Sequence, residues 1–325
     1  MTTHFQVSIG NAAITVDGEI SHRHRAALLT RYADYLSERP PDLRIEFRCA
    51  ADSGAAEFLE VGPSVLTTFG SDHGGEPGSP FPHGEPRSRI EEWLQERRAR
   101  IASAESPRQD PPLRVVPLGA RTLVERPGFA GTVNPCAGEA RCVFAAENAF
   151  FAVGSLLRVG FSFLAVQHGG LLLHAAGVAR NGRAYVFAGP SGAGKSTIAG
   201  LSEGKGTILG DEMMCVQGGP DGDVVLATPF HGTNTAPPFF RGAPLAAVLL
   251  PVKADRIETR VLPEPEALRR LLAATLFFDA SADGRQRLLD VASALVRRVP
   301  VLEMQFTRDP AFWDALDSLC TDTRL

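Results

Sequence analysis

The sequence predicts an α/β protein in two parts: a larger α/β domain over residues 113–325 and a smaller α+β domain over residues 1–112. Three observations predict this. A glycine-rich run at 189–197 lies between a strand-like and a helix-like stretch. From residue 113 onward, apolar β-type runs alternate with amphipathic helical spacing. A polar stretch with three prolines, Ser103 to Pro112, marks the break before it.

The first domain opens with strand candidates His4 to Ile9 and Ala13 to Val16 around a turn at Gly10-Asn11. A helix is expected over His22 to Ser37, with Leu28, Leu29, Tyr32 and Leu36 on one side. Its basic start, His22 to Arg25, suits a solvated helix end. Leu43 to Phe47 alternates as a strand does. Residues 71–88 are dense in Gly, Pro, Ser and His and read as a flexible loop. Helical spacing returns over Arg89 to Ala102, where Ile90, Trp93 and Leu94 share a face.

The second domain holds an apolar stretch, Ala149 to Val166, about long enough to cross a membrane. Arg158 in its middle would be costly in lipid, so a buried core helix is expected. Leu171 to Val178 and Ala184 to Ala188 read as strands, and Asn181-Gly182 between them is a hairpin turn. After the glycine-rich run come Thr207 to Leu209, Val224 to Ala227 and Leu245 to Pro251 as strands. Helices are expected over Glu266 to Leu276 and Arg285 to Arg297. The chain closes with a strand, Val301 to Phe306, and a helix started by Asp309 and Pro310, packed down by Phe312, Trp313 and Leu316.

The glycine-rich run reads Gly189, Pro190, Ser191, Gly192, Ala193, Gly194, Lys195, Ser196, Thr197. It fits the phosphate-loop pattern, a glycine and four residues before Gly-Lys-Ser. Glycines let backbone N–H groups turn inward around a phosphate. Lys195 would place its charge among the β- and γ-phosphates, and Ser196 would offer its hydroxyl to Mg²⁺. Lys195 to Leu201 can begin a helix facing the anion. A hairpin feeding such a loop departs from the βαβ order of most phosphate-loop folds.

Phosphoryl transfer needs charge neutralisation, a metal and a group that positions or deprotonates the acceptor. Asp211 and Glu212 follow the β-type run after the loop and suit the last two tasks. His174, inside an apolar run on the strand paired with the one that leads into the loop, fits a core position as well as a phosphate contact. Arg241, in the stiff turn Pro237 to Gly242, fits a surface position as well as a guanidinium over the transferring phosphate.

Together, Leu173 to Val178, the loop 189–197 and Leu209 to Glu212 resemble the catalytic domain of the HPr kinase/phosphorylase family. The resemblance is specific over Leu171 to Val216. It implies a phosphate-loop nucleotide-binding fold of the type shared with phosphoenolpyruvate carboxykinase, with ATP and Mg²⁺ as cofactors. It also implies His174 near the transferred phosphate, Asp211 as catalytic base and Glu212 at the metal. The family's second signature segment is absent after the acidic pair, where Pro229 to Arg241 stand instead. The chain therefore looks more like divergent members that phosphorylate a serine of a precursor peptide. The expected partner is a protein or peptide phosphoacceptor. The competing reading is a phosphate-loop ATPase or nucleotide sensor.

Composition excludes other classes. Hydrophobic residues make up 44% and charged residues 22%, and the net charge is −4, which gives no global attraction to nucleic acid or anionic membrane. Five scattered cysteines suit reduced thiols, and residues 1–10 lack an apolar leader, so a cytoplasmic location is expected. A homo-oligomer is compatible with all of this. No Leu-Ser-Gly-Gly-Gln-like segment points to a transporter ATPase, and no Asn-Lys-x-Asp reads guanine.

Overall fold

The computed structural model describes residues 2–49, 58, 113–126, 129–145, 148–219, 221–230, 242–279 and 281–321. The expected loop 71–88, the helix over 89–102 and the break over 103–112 lie outside these residues. The described chain is mixed α/β with two sheets. It divides into two compact units: Met1–Gln6, Ile14–Thr30 and Pro41–Leu157 form one, and Val7–Ala13, Arg31–Pro40 and Arg158–Leu325 form the other.

The first sheet contains β1 (Thr2–Ile9), β2 (Ala12–Glu19), β3 (Leu43–Cys49), β4 (Arg114–Leu118), β5 (Arg121–Arg126), β6 (Phe129–Asn134) and β7 (Glu139–Phe144), in the order β1-β2-β3-β7-β6-β5-β4. In β3, Leu43, Ile45 and Phe47 are buried while Arg44 and Arg48 are exposed, the two-residue alternation of a strand with one face on a core. β3 pairs in parallel with β7, Arg44 opposite Glu139 through Cys49 opposite Phe144. One sheet is thus built from residues on both sides of the 112/113 boundary drawn from composition.

Helix α1 (His22–Tyr32) is shorter than the spacing suggests. A 3-10 turn, Ala33–Tyr35, follows it, and Leu36 is extended at ψ 141°. The cause is non-local: Leu36 forms an antiparallel bridge with Val7, which a helical Leu36 could not make. Helix α2 (Ala149–Gln167) is apolar and long enough to cross a bilayer, yet 78% of its most apolar 18-residue window is buried in the fold, as expected of a core helix.

The second sheet holds β8 (Gly170–Arg180), β9 (Arg183–Ala188), β10 (Thr207–Gly210), β11 (Met213–Gly219), β12 (Gly222–Ala227), β13 (Gly242–Lys253), β14 (Glu258–Val261) and β15 (Val301–Phe306). The β8–β9 hairpin turns at Asn181 and Gly182, with φ of 53° and 75°, and Arg180 faces Arg183 across it. Both turn residues need positive φ, which is why Asn-Gly suits this position. β9 has an antiparallel neighbour in β8 and a parallel one in β13. The first residues of β8 pair with β11 instead, and those of β13 with β12, so these two long strands serve both ladders.

Alternate residues of β9 enter different cores. Ala184, Val186 and Ala188 join a cluster with Leu271 of α4 (Glu264–Ala274) and Leu295 of α5 (Ala282–Arg298). Tyr185 and Phe187 join a cluster with Ile198 of α3 (Lys195–Leu201) and Phe312, Trp313 and Leu316 of α6 (Phe312–Thr321). Trp313 is 1% exposed, stacks edge-on against Tyr185 at 5.3 Å and Phe187 at 5.9 Å, and donates its indole N–H to Ser202 Oγ at 3.1 Å. Trp313→Ala should therefore cost about 3–5 kcal/mol, a loss of packing together with a cavity under α3. Urea unfolding followed by circular dichroism checks this, and an unchanged midpoint would show that α6 does not anchor the helix after the loop.

Candidate functional site

The glycine-rich run leaves the C-terminal end of β9, where a parallel α/β sheet commonly places its ligand. Gly192 and Gly194 have φ of 82° and 103°, open to glycine and strained for other residues. Gly194 is held tightly as well: a Cβ there would lie 2.5 Å from Cζ of Phe306. It is also the N-cap of α3 and supplies no side-chain cap, so the first-turn amides receive no acceptor from it.

Lys195 is 5% exposed. Its ammonium donates to the carbonyl oxygens of Gly189 at 2.9 Å and Pro190 at 2.8 Å. Burial lowers its pKa from the ordinary lysine value. Among the described residues its hydrogen bonds go to carbonyl oxygens and not to a carboxylate. A buried cation balanced only by carbonyl dipoles is expensive, and an arriving anion would relieve that cost.

Backbone pairing brings His174, Asp211 and Glu212 to the same end of β9. The amide of Gly189 donates to the carbonyl of His174 at 3.2 Å. On the other edge of β8, His174 stands opposite Met213. Asp211 and Glu212 are therefore the residues just before the β8–β11 ladder begins, and Ala175 N–H donates to Glu212 O at 3.1 Å. Loop, histidine and acidic pair span three neighbouring strands, on the order of 10 Å. Thr228, 2% exposed, fixes the turn from behind. Its hydroxyl donates to Met213 O at 2.8 Å and accepts from Phe230 N–H at 3.2 Å.

The side chains differ in setting. Asp211 is buried, at 5% exposure. Glu212 is partly open and pairs through Oε1 with Nη2 of Arg158 at 3.2 Å. Ser196 is exposed beside the loop and Thr197 is half-buried. Arg241 lies outside the described residues. Among the described residues no group of three or more His, Cys, Asp or Glu could hold a metal ion. A nucleotide-bound Mg²⁺ needs only one or two protein ligands besides phosphate oxygens and water, so Ser196 with Glu212 remains a chemically suitable set.

His174 is half-buried, and its pKa is lowered, first by burial and then by the charge of Lys195. The imidazole is thus held neutral in the fold. Protonation favours the unfolded chain, so this stability is fully present above the ordinary value of 6.5 and is lost as pH falls from there toward the lowered value. His174→Gln should flatten that acid-side decline. Melting temperatures of both proteins between pH 7 and pH 5 check it, and parallel curves would show that His174 does not titrate in this way.

Sequence reasoning overlooked Arg158, Thr228 and Phe230 as neighbours of the acidic pair. The signal for Arg158 was present: a lone charge inside an apolar core helix calls for a partner of opposite sign.

No family model and no curated protein matches this chain. Among solved structures, the HPr(Ser) kinase/phosphatase from Coxiella burnetii aligns with 47% of this chain and 99% of its own, at 11% sequence identity and a TM-score of 0.23. A likeness of that extent defines neither the fold nor the chemistry.

Proposed function

We propose that this protein is an ATP- and Mg²⁺-dependent serine kinase of the HPr kinase-like type, moving the γ-phosphoryl group of ATP to a serine hydroxyl of a protein or peptide. The observation that carries the proposal is Lys195. Its ammonium rests on two loop carbonyls, inside a loop whose Gly192 and Gly194 adopt the positive φ that glycine permits. Nucleotide phosphates suit that cradle better than any other common metabolite anion, because the run also carries the Lys-Ser order that serves phosphate and metal together.

In this reading the loop amides of Ser191, Gly192 and Gly194 and the ammonium of Lys195 hold the β- and γ-phosphates, while the amides of Gly189 and Ala193 are spent on the carbonyls of His174 and Pro190. Mg²⁺, held by Ser196 and Glu212, would neutralise charge on the transferring group. Asp211 accepts the proton of the acceptor hydroxyl. The hydroxyl oxygen forms its bond to the γ-phosphorus as the bond to the β,γ-bridging oxygen breaks, and ADP leaves with that electron pair. His174, neutral, gives a hydrogen-bond donor beside the phosphate without adding charge. Arg241 is the further cation proposed over the transferring phosphate. All the described residues in this scheme belong to one unit, Arg158–Leu325 with its two short additions. Use of ATP and of reduced thiols suits the cytoplasm.

The test is ADP formation from MgATP, with and without serine-containing peptides and proteins. Acceptor-dependent ADP formation supports the kinase. Acceptor-independent release of inorganic phosphate would favour an ATPase, and nucleotide binding without turnover would favour a sensor.

A further inference from the structure

We infer that Arg158 is the positioning residue of Glu212, holding that carboxylate as a counter-ion and thereby setting how tightly the acidic pair takes a divalent cation. The inference rests on the phosphotransferase reading above.

Arg158 stands in the middle of α2, a helix whose most apolar window has a mean hydropathy of 1.9. Its guanidinium reaches Glu212 at 3.2 Å and lies 5.6 Å from the ring centre of Phe230. Its charge also acts on Tyr32, whose hydroxyl burial pushes up to about 12. The pair is not a satisfied structural lock, because Nε of Arg158 is buried with no hydrogen-bond partner among the described residues. A part-exposed ion pair with an unspent donor contributes little to stability, and an aliphatic residue would suit the apolar helix better. A charge kept here at such cost points to a task.

Two successive carbonyls at this turn are held by hydrogen bonds. The carbonyl of Glu212 accepts from Ala175 N–H at 3.1 Å, and the next carbonyl, of Met213, accepts from Thr228 at 2.8 Å. Arg158 extends from a mostly buried helix, so its backbone is fixed by packing. The torsions of Glu212 thus choose between the guanidinium and a cation beside the loop. Asp211 and Glu212 are adjacent like charges, and Arg158 offsets one of them. A divalent cation arriving without nucleotide must compete with the guanidinium. One arriving with phosphates has further ligands and can displace it.

The experiment is Mn²⁺ titration of the full chain without nucleotide, read from the electron paramagnetic resonance signal of free Mn²⁺. Arg158→Met should bind Mn²⁺ about three- to tenfold more tightly than the unaltered protein, the range expected for losing one part-exposed ion pair. Arg158→Lys, which keeps the charge, should bind nearly as the unaltered protein does. Adding Glu212→Gln to Arg158→Met should abolish the gain. If Met at this position disrupts the fold by circular dichroism, Arg158→Gln gives the same reading with a neutral hydrogen-bonding side chain. Equal or weaker Mn²⁺ binding in a folded neutral variant, or a gain that survives Glu212→Gln, overturns the inference. MgATP calorimetry on the unaltered protein separates the two levels: absent nucleotide binding removes the kinase reading, whereas the Mn²⁺ comparison alone decides the role of Arg158.

Discussion

Lys195→Ala should lose essentially all phosphoryl transfer and most affinity for nucleotide phosphates. Lys195 is 5% exposed, and its ammonium already lies inside the loop, on the carbonyls of Gly189 and Pro190. No other lysine is placed within this loop, so nothing in it can replace that charge. Hydrogen bonds to a charged group are worth about 1.5–3 kcal/mol each, so even one lost contact to phosphate weakens binding roughly tenfold or more. The substitution should not unfold the protein, because it removes a buried cation that has no carboxylate partner among its hydrogen bonds. Calorimetry with MgATP, beside thermal melting, checks both parts. Unchanged ATP affinity in a folded variant would remove the phosphate-loop assignment.

Asp211→Asn should bind MgATP as the unaltered protein does and transfer phosphate about 10²- to 10⁴-fold more slowly, the contribution of a positioned general base. The side chain is buried at the turn between β10 and β11, and an amide of the same shape fills that space without accepting a proton. The informative result is the split between a lowered kcat and an unchanged nucleotide affinity. Transfer at the unaltered rate would place the base elsewhere and leave the acidic pair a structural turn.

The parts of this site that were legible in the sequence are those set by local chemistry. The run from Gly189 to Thr197 specifies its own backbone, and Asn181-Gly182 specifies the hairpin before it, with φ of 53° and 75°. Strand β11 was not foreseen, because Met213 to Val216 continues an apolar stretch directly after two acidic residues and carries no turn residue of its own. The end of α1 was misjudged because a bridge between Leu36 and Val7, far apart in the chain, overrides the helical spacing. The pairing of β3 with β7 joins segments far apart in the chain, which neither periodicity nor composition encodes. The partner of Glu212 was hidden for the same reason: Arg158 lies on a different element, and only folding brings it to 3.2 Å.

In the proposed function the loop and the acidic pair together move a phosphoryl group onto a hydroxyl. This transfer is tested most directly by mass-spectrometric localisation of the phosphate after incubation of γ-labelled MgATP, the protein and a panel of serine-containing peptides, run in parallel with Asp211→Asn. Label is expected on a serine side chain with the unaltered protein and almost none with the variant. Label recovered only as inorganic phosphate, at equal rates from both proteins, would contradict it.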